Sequence, residues 1–404
     1  MRRSIEILGL ILLLSVAVVG CKKDDEEDQD SNSNNVGATG AYPAVEATFG
    51  GSIDLNNLLD YGDGNVPVYI NKDNTNGNFI TDAGATLGRV LFYDKSLSVD
   101  YTISCSSCHQ QSAAFSDIAV QSDGVAGVTG RHSMRLINSR FADESRFFWD
   151  ERAFSLEEQT TMPIQDHIEM GWSGEDGDLE FNELFDRLEA IDYYQELFTY
   201  VYGTSQVTED RIQLALAQFI RSFQSFDSKF DEGMADAPNA GVNFNNYTAQ
   251  ENNGKGLFLA PADLDPNTGE RIGGGLGCGV CHRPPEFDID PNSANNGVIG
   301  VAGSADVDTD VTRSPSLRDL VNPEGGSNGP FMHDGSLATL DDVIDHYNNI
   351  PINPDNDNLD PRLSGAGNGQ QLNITDQERN QIIAFLETLT GEDIYTNEKW
   401  SDPF

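Results

Sequence analysis

Between residues 208 and 226 the apolar positions Ile212, Leu216, Phe219, Ile220 and Phe223 recur at the spacing of one helix face, and Thr208 stands where a cap belongs. Near the end of the chain, Thr375-Asp376-Gln377-Glu378 reads as a capping box ahead of Ile382, Ile383, Phe385, Leu386 and Leu389, with Gly391 as a stop. A shorter helix is predicted where Leu340, Val343, Ile344 and Tyr347 follow the i, i+3, i+4, i+7 pattern. Alternating, strand-like runs are few, so the fold class is mainly α with long loops. Gly88-Arg89-Val90-Leu91-Phe92 is echoed by Gly254-Lys255-Gly256-Leu257-Phe258, which suggests a duplicated unit. The chain has 404 residues, more than the ~250–300 at which one core stops growing. Two domains are therefore expected, over 46–240 and 241–404, with the boundary in the polar, Gly-containing stretch Asp227–Asn245.

The first 21 residues break this pattern. Arg2 and Arg3 precede an almost unbroken apolar run, Ile7 to Val19, which is short for a membrane span. The run ends in Val18-Val19-Gly20-Cys21, which resembles the lipobox of bacterial lipoproteins. That resemblance implies lipidation of Cys21 and a lipid-anchored protein on the periplasmic side of the cell envelope; an ordinary signal peptide or an anchor helix are the alternatives. Residues 22–45, rich in Asp, Glu, Ser, Asn and Gly, read as an acidic flexible tether, with folded sequence expected from near Tyr61. Asp and Glu outnumber Lys and Arg by 66 to 24, a net charge of −42. Such a field repels nucleic acid and favours a basic partner, such as a small electron-donor protein, although it also serves solubility in a salty habitat.

The chemistry lies in the cysteines. Besides Cys21 there are four, and all fall in two Cys-x-x-Cys-His motifs, Cys105-Ser106-Ser107-Cys108-His109 and Cys278-Gly279-Val280-Cys281-His282. Two thiols at this spacing can each form a thioether to a haem edge, while the adjacent histidine reaches the iron. Zinc binding or a redox dithiol is the alternative, but zinc would need four ligands gathered from both motifs. Two covalently bound haem c groups are therefore expected, with His109 and His282 as iron ligands. The other axial ligands must come from a short roster: His132, His167, His333, His346 and six methionines among the soft or imidazole donors, with tyrosine as a further candidate.

Several further motifs give the chain a resemblance to the bacterial dihaem cytochrome c peroxidase and MauG family, from Leu87 to Gly391. These are Leu87-Gly88-Arg89 through Phe92-Tyr93-Asp94, Phe148-Trp149-Asp150-Glu151-Arg152-Ala153, Leu156-Glu157-Glu158-Gln159, Pro163-Ile164-Gln165, Glu169-Met170, Pro315-Ser316-Leu317-Arg318 and Pro330-Phe331-Met332-His333-Asp334-Gly335. The resemblance implies two cytochrome c-like haem domains, the first binding peroxide and the second handling electrons. Gln159, Pro163 and Glu169 match positions around the open face of the first haem, and Glu169 is the candidate for moving a proton between peroxide oxygens. Trp149 matches the tryptophan that the family places between its haems, with a plain core role as the alternative. Arg152 and Asp150 are read as holding haem propionates or the local fold.

Two departures from the family pattern matter. Residues 110–131 contain no histidine, so the loop histidine that closes many resting family sites is missing and the first site is expected to be open. His132 takes the place of an asparagine that supports an interhaem calcium; as a poor calcium ligand it weakens the case for that ion, leaving backbone carbonyls near Asn328 and Pro330. His132 is also an alternative distal ligand. For the second haem, Tyr347 lies on the apolar face of its helix and His346 does not, which favours Tyr347 as sixth ligand; His346 and Met332 remain alternatives. His333 is expected to bond near the second haem, and His167 to line the first pocket or lie on the surface. Asp263 to Gly269 departs from a calcium-loop pattern and reads as an acidic turn. The leading expectation is reduction of hydrogen peroxide with electrons from a small, basic redox protein such as a cytochrome c. The alternatives are a MauG-type oxidase acting on aromatic residues of a partner, or a dihaem electron carrier.

Overall fold

The computed structural model describes residues 40–404 apart from Asp63, Asn65 and Ala366. The leader, Cys21 and most of the expected tether lie outside the described residues. Helix α1 (Pro43–Phe49) opens the described chain, with proline in its first turn, where no N–H is missed. Val45 and Phe49 are buried, and the N–H groups of Ala44 and Val45 donate to the Glu196 carboxylate at 2.9–3.1 Å. The expected tether over 22–45 therefore extends too far, and folded structure does not wait for Tyr61. Val45, Phe49, Ile53 and Leu55 form an apolar set inside a segment whose overall composition looks like spacer.

The first hydrophobic core gathers α2 (Asp82–Tyr93), α3 (Cys105–Cys108), α4 (Leu156–Thr161), α5 (Phe181–Glu189), α6 (Asp192–Tyr202) and α7 (Glu209–Arg221). Thr81 and Thr208 cap α2 and α7 by accepting from Gly84 and Arg211. The two helices cross at Gly88, where a Cβ would lie 2.1 Å from the Ala215 carbonyl oxygen. Phe92, Phe115, Phe219 and Phe223 fill the space beside this crossing, with Phe115 and Phe223 stacked at 3.8 Å.

A second core repeats the plan with α8 (Lys229–Ala235), α9 (Ala249–Leu259), α10 (Cys278–Cys281), α11 (Leu340–Asn348) and α12 (Asp376–Glu387). Capping boxes start α9, α11 and α12 at Thr248, Thr339 and Thr375. Helices α9 and α12 cross at Gly254, where a Cβ would meet the Gln381 carbonyl oxygen at 1.9 Å. The repeated glycine pattern thus marks the same close helix crossing in both halves. Among the described residues, three two-stranded antiparallel sheets complete this half; the first joins β1 (Ala262–Leu264) to β2 (Arg271–Gly274) across the acidic turn.

The cores do not follow a simple cut at residue 240. Phe230 and Met234 of α8 belong to the second core. After α12 the chain returns through α13 (Asp393–Thr396), and Ile394 and Trp400 are buried in the first core. Trp400 Nε1 donates to Ser222 Oγ at 3.1 Å, and Arg89 Nε donates to the Ser401 carbonyl at 2.7 Å. The buried Arg318 donates to both Asp231 oxygens at 2.8 and 2.9 Å, and Tyr69 from the N-terminal half donates to the same carboxylate at 2.7 Å. The two halves are laced together by their ends.

Candidate active site

Each Cys-x-x-Cys-His motif forms one short helical turn beneath a cleft. Cys105, Cys108 and His109 border the first cleft, together with Gln159, Pro163 and Glu169. The His109 ring is held by donation from Nδ1 to the Phe115 carbonyl at 3.1 Å, which leaves the Nε2 lone pair free. Burial lowers this imidazole to a pKa of about 4, so it is neutral at physiological pH. Burial also pushes the Cys105 thiol up to about 12 and Cys108 to about 11.

Helix α4 carries Gln159 to the cleft, capped by Ser155 Oγ accepting from the Glu158 N–H and pinned to α7 by the Glu157–Arg221 ion pair. Glu169 follows a turn in which Asp166 Oδ1 accepts from the N–H groups of Ile168 and Glu169, at 2.8 and 3.0 Å. The carbonyls of Ile168 and Glu169 accept from Ala126 and Val125, both at 3.2 Å. That approach requires Gly124, because a Cβ there would lie 2.0 Å from the Ile168 oxygen. Burial, aided by the nearby Asp166 charge and opposed by Arg152, raises the Glu169 carboxyl to about 7. A carboxyl poised near neutrality can both accept and return a proton. His167 points away from both clefts and pairs with Asp178 at 2.9 Å, which resolves it as a surface histidine.

The second cleft contains Cys278, His282, Met332, His333 and Tyr347. His282 is neutral in its buried setting, at about 4, and its Nδ1 has no hydrogen-bond partner among the described residues. Leu340, Val343, Ile344 and Tyr347 of α11 all face this cleft, as the periodicity implied. Desolvation raises the Tyr347 hydroxyl to about 12. His346 turns aside and donates from Nε2 to the Asn296 carbonyl at 3.0 Å. The Asn296 side-chain amide donates to both Tyr347 Oη and Met332 Sδ, each at 3.3 Å. Met332 therefore joins Tyr347 in the cleft.

The two clefts share a wall. Trp149, His132, Arg135 and Arg313 line both. Trp149 Nε1 donates to the His132 carbonyl at 2.8 Å, the His132 N–H donates to the His333 carbonyl at 2.7 Å, and the Trp149 and His333 rings lie 6.3 Å apart. These rings come from two copies of one turn. Phe147 pairs with Ala153 and Phe331 with Leu337, and Phe148 and Met332 both adopt φ = 70°, rare for residues with a side chain. His132 spends Nδ1 on the Ala119 carbonyl at 2.9 Å and has Ser116 Oγ 3.4 Å from Nε2, an arrangement that does not suit a distal ligand. Asp150 pairs with Arg131 and Arg152, and the Arg152 guanidinium lies 3.5 Å over the Phe148 ring while also bordering the first cleft.

The residues fit a covalently attached haem in each cleft. The atom-free space, open mouths included, is about 1360 Å³ beside His109, Gln159 and Glu169 and about 1140 Å³ beside His282, with a further space of about 650 Å³ against Cys105 and Cys108. All four motif cysteines are free of disulfides, as thioether attachment requires. Among the described residues no three His, Cys, Asp or Glu side chains converge as a metal cage, so the two motifs do not combine into the four-ligand zinc site.

A family model described as di-haem cytochrome c peroxidase matches residues 82–239. The methylamine utilization protein MauG of Methylophilus methylotrophus is 30% identical over 325 residues, covering 78% of this chain and 84% of that protein. The cytochrome c551 peroxidase of Nitrosomonas europaea is 29% identical over 310 residues, covering 76% of this chain and 80% of its own. The crystal structure of a MauG-like protein associated with microbial copper homeostasis matches with a TM-score of 0.65 at 27% identity, over 85% of this chain and 99% of that one. With two haem-attachment motifs beneath two clefts and homology across most of its length, the chain belongs to the di-haem cytochrome c peroxidase family, in which MauG also falls.

Proposed function

We propose that this oxidoreductase reduces hydrogen peroxide in the first cleft with electrons delivered through the second by a small, basic redox protein. The observation that carries the reading is Glu169: a half-buried carboxyl, tuned to about 7, on the same cleft as His109, Gln159 and Pro163. Bound haem supplies an iron that can take peroxide in the first cleft and exchange electrons in the second. Glu169 accepts the proton of the inner peroxide oxygen and returns it to the outer one, so that the O–O bond breaks with water as leaving group. Two electrons from the donor and two protons from solvent complete the conversion of one peroxide to two waters. His109 holds the neutral tautomer through Phe115, and Trp149 bridges the clefts as a conduit for electrons. Tyr347 would be the residue that holds the second haem's iron from α11, since it lines the cleft while His346 is turned away to the Asn296 carbonyl.

The leader sequence supports a lipid anchor at Cys21 and a periplasm-facing enzyme. Interhaem calcium has little support, because His132 stands where an oxygen ligand would be needed. Steady-state reduction of hydrogen peroxide by the matured protein with a reduced, basic c-type cytochrome tests the reading; turnover is expected, and its absence with every donor alongside two intact haems would contradict it. Tyr347 in the second cleft and the histidine-free loop 110–131 favour a second reading, peroxide-driven oxidation of aromatic residues on a partner protein. Product analysis separates the two: water with oxidised donor in the first, a modified partner side chain in the second.

A further inference from the structure

Arginine keeps its charge at any accessible pH, so a buried guanidinium without a counterion costs several kcal/mol unless something anionic meets it. Most buried arginines in this chain are met. Arg318 grips Asp231 with two hydrogen bonds, Arg221 meets Glu157, and Arg89 spends its donors on oxygens of Ser52 and Ser401. Arg135 and Arg313 are different. Each is only 6% exposed, each lines both clefts, and neither has a carboxylate within ion-pair distance among the described residues. Arg313 donates to the carbonyls of Glu144 and Arg146, while its Nε is bare. Arg135 makes no hydrogen bond to any described residue, and its Nε too is bare. Asp319 and Tyr395 influence Arg135 electrostatically without pairing with it.

We propose that Arg135, assisted by Arg313, is a cofactor-binding residue whose guanidinium is shared by the carboxylate side groups of both haems at the wall between the clefts. The proposal rests on the assignment of one haem to each cleft. Haem presents propionate carboxylates at its edge, and guanidinium is the side chain best shaped to hold carboxylates in bidentate fashion. One fixed positive charge beside two cofactors stabilises the reduced form of both. Arg135 thereby ties the two reduction potentials to a single residue, and its carboxylate partners offset the cost of burying it.

The test compares holoprotein of the wild type, Arg135→Gln and Arg135→Lys by spectroelectrochemical titration, with haem content read from intact mass. Both midpoint potentials are expected to shift negative in Arg135→Gln and to stay near wild type in Arg135→Lys, which keeps the charge. Two haems with unmoved potentials, or a shift in one only, would overturn the shared clamp and leave the functional reading intact. If Arg135→Gln matures with fewer than two haems, Arg135→Lys decides: full loading at wild-type potentials supports the proposal, and equal failure assigns Arg135 a packing role and overturns it. Wild-type protein lacking two haems would instead overturn the cofactor assignment, and this proposal with it.

Discussion

At the scale of single residues, protonation sets function. Glu169 acts as a base only as carboxylate, and its raised value of about 7 means that this form is lost as pH falls through neutrality. The peroxidase kcat/KM is therefore expected to drop on the acid side of pH 7. Glu169→Gln should lower it by roughly 10²–10⁴ and remove that limb while haem content stays at two. An unchanged pH profile in the variant would assign the proton transfer elsewhere. Tyr347→Phe should alter the low-spin electron paramagnetic resonance signal of the second ferric haem, and an unchanged signal would exclude Tyr347 as ligand. Their places beside the clefts are legible in the sequence, Glu169 through a family motif and Tyr347 through the helical period. That of Arg135 is not: in one dimension an arginine without a partner reads like any surface charge, and only the folded wall shows what it lacks.

At the scale of elements, glycine sets the distances. The helix crossings α2–α7 and α9–α12 bring backbones so close that a methyl group at Gly88 or Gly254 would lie about 2 Å from a carbonyl oxygen. Gly88→Ala or Gly254→Ala should each cost about 1–3 kcal/mol in denaturant unfolding, as overpacking does, and cost-free substitution would contradict the close crossing. Gly124→Ala should act locally, pushing the 124–127 loop off the Ile168 carbonyl and loosening Glu169; a raised KM and lower kcat at nearly wild-type stability is the expected signature. Period and caps predict α7 and α12, and period alone predicts α11, to within a few residues. Helix α1 leaves little trace in the sequence because seven residues in a polar, Gly-rich context carry too weak a period to stand out, and they fold by packing on α6.

At the scale of the whole molecule, charge and topology matter more than any contact. A net charge of −42 should make association with a basic donor fast at low salt and progressively slower as ionic strength rises. Stopped-flow oxidation of the donor between low and physiological salt checks this, and a flat salt dependence would point to a neutral docking face. The duplication was visible as repeated glycine and haem motifs. The lacing of the halves was not, because a returning C-terminal tail and a Tyr69 that crosses to Asp231 leave no periodic trace. Both motif helices must carry porphyrin through sulfur for either cleft to do redox chemistry. Intact-mass spectrometry of protein matured in a cytochrome c-competent host reads this most directly: the chain should be heavier than its sequence by two haem groups that survive denaturation. A mass equal to the bare polypeptide, or one from which the pigment washes away on unfolding, would contradict it.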